Sequence, residues 1–80
     1  MMRNRIREVM SDIFGISIEE ITSDSSMDTL PSWDSLGHLQ LIIKLEDDFT
    51  VSFSELETLS MTNFKSIEKI ISGKISENGK

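Results

Sequence analysis

The sequence predicts an all-α fold, a small bundle of three longer helices and one short one with a long first loop. Three observations predict it. Apolar residues recur at helical spacing in three separate stretches. Two Ser-x-x-Glu capping boxes and two glycines, Gly15 and Gly73, mark helix starts and stops. The β-branched run Thr50-Val51-Ser52-Phe53 has no partner strand and reads as a connector, with Val51 and Phe53 pointing inward.

Residues 3–14 form the first helix, with Ile6, Val9, Met10 and Ile13 on one face and Phe14 at its edge. Gly15 stops it. Ser17-Ile18-Glu19-Glu20 has the spacing for a single capped turn, and Ile16, Ile18 and Ile21 anchor it to the core. The segment from Thr22 to Thr29 is rich in Ser, Thr and Asp and is expected to be irregular. Met27, Leu30 and Trp33 are the apolar pins that hold this loop over the helices, and Trp33 is expected to pack downward.

Residues 35–49 carry the strongest amphipathic pattern. Leu39, Leu41, Ile42, Leu45 and Phe49 are read as its apolar arc, and Gly37, Gln40, Lys44, Asp47 and Asp48 as its water face. Leu36 and Ile43 sit at the edge of that arc. Gly37 either loosens the helix start or admits a close backbone approach. The second capping box, Ser54 to Glu57, starts a short helix running to about Leu59. Thr62-Asn63 caps a last helix from Phe64 to Ser72, with Phe64, Ile67, Ile70 and Ile71 inward. The expected organisation is one domain over residues 1–73 and a flexible tail over 74–80.

Eighty residues leave no room for a catalytic domain with its own pocket and cofactor fold. There is no cysteine, so any thiol chemistry must use a sulfur brought in by a cofactor. A single histidine, His38, excludes a multi-histidine metal cluster, and no metal ligand set is read. The net charge of −6 argues against nucleic acid, whose phosphates demand a basic face. It suits partners with basic patches. No apolar run is long enough to span a bilayer and no signal-peptide core follows the basic start, so the expectation is a cytoplasmic, monomeric protein.

Chemistry concentrates at Trp33-Asp34-Ser35-Leu36, which follows Leu30-Pro31-Ser32 and opens the second long helix. A serine there lies in the first turn, where unpaired backbone N–H groups and the helix dipole favour an anion. A phosphate attached to Ser35 would be stabilised by that helix start. The plainer reading is that Asp34 or Ser35 only caps the helix. His38, one turn on, either covers a helix interface as a neutral ring or responds to a phosphate on Ser35.

With Asp34-Ser35-Leu36 in this setting, the chain resembles the acyl carrier protein family, which includes peptidyl and D-alanyl carriers. The resemblance runs from Ile6 to about Ile71. It covers a first helix ending at Gly15, a long loop, Asp-Ser-Leu opening helix two, acidic Glu46-Asp47-Asp48, then a short and a last helix. It implies that a phosphopantetheinyl transferase esterifies Ser35 with phosphopantetheine from coenzyme A. The arm would then carry an acyl or aminoacyl group as a thioester. It implies that Asp34 flanks the cofactor, and that Leu36 and Ile43 contact partners, which include an acyl- or aminoacyl-loading ligase and acyl-processing enzymes. Glu46 and Asp47 border the same rim as acidic partner contacts. Gly37 and Gln40 stand where fatty-acid carriers usually have acids, and Lys44 adds a positive charge. With Trp33 before the motif and His38 after it, the chain looks more like stand-alone carriers of natural-product or surface-glycan assembly.

An unmodified helical docking module is the alternative. An enzyme is disfavoured, because Ser35 has only His38 as a base, without the supporting acid and oxyanion donors of a triad.

Overall fold

The helical spacing near the start becomes α1 (Met2–Phe14), which buries Ile6, Val9, Met10 and Phe14. The computed structural model describes residues 2–78. Gly15 ends α1 in the left-handed region at φ 66°, and its N–H donates to the Ser11 carbonyl at 2.9 Å. A glycine takes that conformation without the Cβ clash that other residues meet. The predicted capped turn is a 3-10 turn over Ile18–Glu20, with both bonds of the Ser17–Glu20 capping box formed. Arg7 of α1 holds it by donating to the carbonyls of Ile18 and Ile21 at 2.9 and 3.0 Å.

α2 (Ser35–Phe49), α3 (Glu55–Ser60) and α4 (Phe64–Asn78) complete the bundle. Leu41, Ile42 and Leu45 of α2 meet the α1 side chains, Met61, and Phe64, Ile67 and Ile71 of α4 in one core. Burying such side chains is the main favourable term in a domain of this size. α2 ends at Thr50, which takes the left-handed conformation at φ 54° with its N–H on the Glu46 carbonyl. The chain that follows is tied back by the Glu46 carboxylate, which accepts the Phe53 N–H at 2.9 Å. Val51 and Phe53 are half-buried, and Phe53 packs against the core.

Two α2 residues face otherwise than expected. Leu39 is 55% exposed, not core. At about 100° per residue it lies about 160° around the helix from Leu41, outside the buried arc. Gly37 is buried rather than on the water face. It sits one turn before Leu41, on the same side of the helix.

The last helix also differs from expectation, since it runs through Gly73 to Asn78. A glycine within a helix costs about 1 kcal/mol but does not stop it; a stop needs the left-handed turn seen at Gly15. Lys74 reinforces the extra turns. Its ammonium lies 2.9 Å from Glu57 of α3 and 5.8 Å from the centre of the Phe53 ring. Gly79 and Lys80, expected to be frayed, lie outside the described residues.

Ion pairs join the helices at the surface: Arg3 to Glu68, Arg5 to Asp48, and Lys74 to Glu57. Glu57 is held below the usual carboxylate range, first by the Ser54 backbone N–H and then by Lys74. Asp48 is lowered too, mainly by its hydrogen bonds from Arg5. A depressed carboxyl stabilises the fold above its unfolded pKa and loses that contribution as pH falls through the folded one. Thermal melts below about pH 4 should therefore fall steeply for the wild type. Glu57→Gln should melt lower than wild type at pH 7, and the gap should narrow in acid. A gap that stays constant with pH would contradict this assignment.

Candidate functional site

The loop before α2 is stitched to the start of α4. The Met27 N–H donates to the Thr62 carbonyl at 3.0 Å, and the Phe64 N–H to the Ser25 carbonyl at 2.9 Å. Ser26 and Asn63 form an isolated antiparallel bridge between these segments. Ser25 is buried, and its hydroxyl accepts the Thr22 N–H at 2.8 Å. The stretch read as irregular is thus irregular in shape but fixed in place, because its short polar side chains bond to nearby backbone.

Trp33 closes the loop. It is 1% exposed and lies 5.6 Å, centre to centre, from the Phe14 ring. Its indole N–H donates to His38 Nδ1 at 3.0 Å. The other ring nitrogen, Nε2, lies 2.8 Å from the Thr58 carbonyl oxygen. An indole can only donate and a carbonyl can only accept, which assigns His38 as the neutral ring with its hydrogen on Nε2. One side chain of α2 therefore bridges the loop and α3. Of the two sequence readings of His38, this is the neutral ring across a helix interface.

Asp34 is the N-cap of α2, with its carboxylate accepting the Gly37 N–H at 2.8 Å and its carbonyl accepting the His38 N–H at 2.7 Å. The N–H groups of Ser35 and Leu36 precede the first intrahelical bond, as at any helix start. Ser35 is exposed on that first turn. It lines a groove of about 350 Å³ together with Met27, His38, Leu39, Thr58, Leu59 and Thr62. A phosphate ester on Ser35 fits this place. The hydroxyl is at the surface, the helix N-terminus favours an anion, and the groove leaves room for a chain leading away.

The tight helix start explains Gly37. A Cβ there would lie 2.7 Å from the Ser32 carbonyl oxygen and 3.2 Å from the Phe14 ring. The close-approach reading holds, because loop backbone passes directly over the first turn.

Beyond Ser35, Leu36 and Ile43 are exposed at 64% and 58%, and Leu39 lies between them on the same side. Asp47 is exposed near Ile43, and the two share a shallow depression with Ile13, Gln40 and Lys44. Glu46 is only half-exposed and is bonded to the Phe53 N–H. Asp48 is paired with Arg5. The structure thus brings Ser35, Asp34, Leu36 and Ile43 to one end and side of α2, while Glu46 points toward the α2–α3 connector. Met27, Thr58, Leu59 and Thr62 were not legible as site residues. They reach Ser35 only through the folding of α3 and the loop against α2.

Gly37→Ala tests the helix start. In an ordinary helix interior this change gains about 1 kcal/mol. Here the added methyl meets a backbone carbonyl, so the variant should melt below the wild type. A rise in melting temperature would contradict the close approach.

Comparison with known proteins follows the same lines. The family model described as a phosphopantetheine attachment site matches residues 4–71. An acyl carrier protein of a Streptomyces avermitilis polyketide synthase, polyketide-8 synthase acyl carrier protein 2, is 24% identical over 75 residues, covering 94% of this chain and 86% of its own. An acyl carrier protein of Cyanidium caldarium is 25% identical over 72 residues, covering 90% and 84%. A solved Mycobacterium tuberculosis structure assigned as an acyl carrier protein superposes with a TM-score of 0.82 at 22% identity, covering 91% of this chain and 97% of that one. No helix among the described residues is long and apolar enough to cross a membrane. The match over residues 4–71, with the four-helix fold, establishes that this chain belongs to the phosphopantetheine-attachment family of acyl carrier proteins, which hold a covalent phosphopantetheine and act as carriers rather than catalysts.

Proposed function

We propose that Ser35 bears the phosphopantetheine, and that the chain delivers acyl or aminoacyl groups as thioesters to the enzymes of a specialised biosynthetic pathway. The single observation that carries this is the exposed Ser35 hydroxyl on the first turn of α2, at the mouth of a groove. Bound there, the group supplies the thiol that this cysteine-free chain lacks. Ser35 Oγ forms the new bond to phosphorus. Its proton passes to the transferase, and coenzyme A loses adenosine bisphosphate. Asp34 holds the helix start rigid through its cap, which fixes where Ser35 is presented.

The specialised pathway is supported by Gly37, Gln40 and Lys44 on α2, which thin out its acidic surface, and by the similarity to a carrier named for polyketide synthesis. The partner footprint we propose is Leu36 and Ile43 with Asp47 at the edge. Glu46 supports that rim from inside, through its bond to Phe53. A transferase, a loading ligase and acyl-processing enzymes would use this surface in turn. The carrier unit we propose is residues 1–73, in keeping with the family match ending at residue 71.

Incubation with coenzyme A and a phosphopantetheinyl transferase should add one phosphopantetheine by intact mass. Ser35→Ala should keep the helical circular dichroism and lose the mass gain. Addition to Ser32 or another serine, or no addition to the wild type, would overturn the assignment, the latter in favour of a docking module. Asp47→Lys should raise the transferase KM about two- to fivefold at low salt, the scale of one exposed charge, and less at high salt. Unchanged KM at low salt would remove Asp47 from the footprint. Reversal of Glu46 is a poor test, because it also breaks the bond to the Phe53 N–H.

A further inference from the structure

We propose that the acyl group borne by this carrier rides in the outer groove between α2 and α3, and that the Trp33–His38–Thr58 bridge bars it from the helical core. This rests on Ser35 as the attachment residue and adds where the cargo lies. The groove begins at Ser35 itself, so a chain attached there reaches it without leaving the surface. Its apolar walls are Leu39 from α2 and Leu59 from α3, both more than half exposed, with half-buried Met27 at one side. Apolar side chains that face water from two neighbouring helices gain by covering an alkyl chain.

The groove stops short of the core. None of the residues lining it belongs to the buried cluster formed by Leu41, Leu45, Met61, Ile67 and Ile71. Between the two stands His38, bonded at one nitrogen to Trp33 and at the other to the Thr58 carbonyl. For an acyl chain to pass inward between α2 and α3, the His38–Thr58 bond must break. If the ring swings aside, the buried Trp33 N–H loses its acceptor as well. A buried donor without a partner is costly, and an apolar cargo offers no replacement acceptor. The outer groove asks for no such loss.

The protein should be loaded from octanoyl-coenzyme A by a transferase, with the plain phosphopantetheine form as reference. Carbon–proton spectra of Ile, Leu and Met methyl groups then locate the octanoyl chain. Methyl shifts specific to the octanoyl form should fall on Met27, Leu39 and Leu59, with Leu45, Ile67 and Ile71 unmoved. His38→Ala should spread the shifts to those core methyls. Trp33→Phe, which removes only the indole N–H and part of the ring, serves if the first variant does not fold. Wild-type shifts on Ile67 and Ile71, or no octanoyl-dependent shift anywhere, would overturn the outer groove. Core shifts no larger in the variants than in the wild type would overturn the bridge as the barrier. Intact mass separates these from a failure of attachment. No mass gain sinks the Ser35 reading, whereas full gain with core shifts sinks only this inference.

Discussion

The burial of Trp33 is the constraint on which the working end of this protein depends. A buried indole needs an acceptor for its N–H, and His38 supplies one from the first turns of α2. The loop backbone is thereby drawn down until the Ser32 carbonyl crosses the helix at Gly37, where no side chain would fit. Asp34 then falls at the N-cap and Ser35 at the first helical position, facing outward. His38 passes the constraint on to α3 through the Thr58 carbonyl. One packed aromatic thus sets the position of the serine, the closeness of α3, and the floor of the groove between them.

A carrier must be visited by several enzymes in succession, which asks for a surface of modest stickiness over a rigid frame. The division of charge fits that need. Glu46, Asp48 and Glu57 are used internally or in pairs, holding the α2–α3 connector, α1 and α4. Exposed ion pairs of this kind contribute little each, but they fix helix ends and leave few acids free on the outer face of α2. What faces outward near Ser35 is an apolar stripe of Leu36, Leu39 and Ile43 with Asp47 beyond it. Such a surface favours short-lived apolar contacts steered by a small electrostatic term.

Local rules were enough to read much of the chain from its sequence alone. Helical spacing gave α1 and α2 nearly to the residue, and the capping boxes at Ser17 and Ser54 start their turns as expected, because these signals act over three or four residues. Ser35 was legible because an Asp-Ser-Leu at a helix start depends only on local order and spacing. Leu39 and Gly37 were misassigned around the wheel, although the angle between neighbours on a helix was already sufficient to place them. Gly73 does not stop α4, since helix ends depend on backbone conformation and on partners such as Glu57, and the residue type alone fixes neither. The bridge through His38, the close passage of Ser32 over Gly37, and the groove that joins Ser35 to Leu59 belong to the tertiary structure. Each joins residues from different elements, and the acceptor at Thr58 is a backbone carbonyl that every residue possesses. Sequence determined which residue could carry the cargo; only the packing of the loop and α3 against α2 decided what surrounds it.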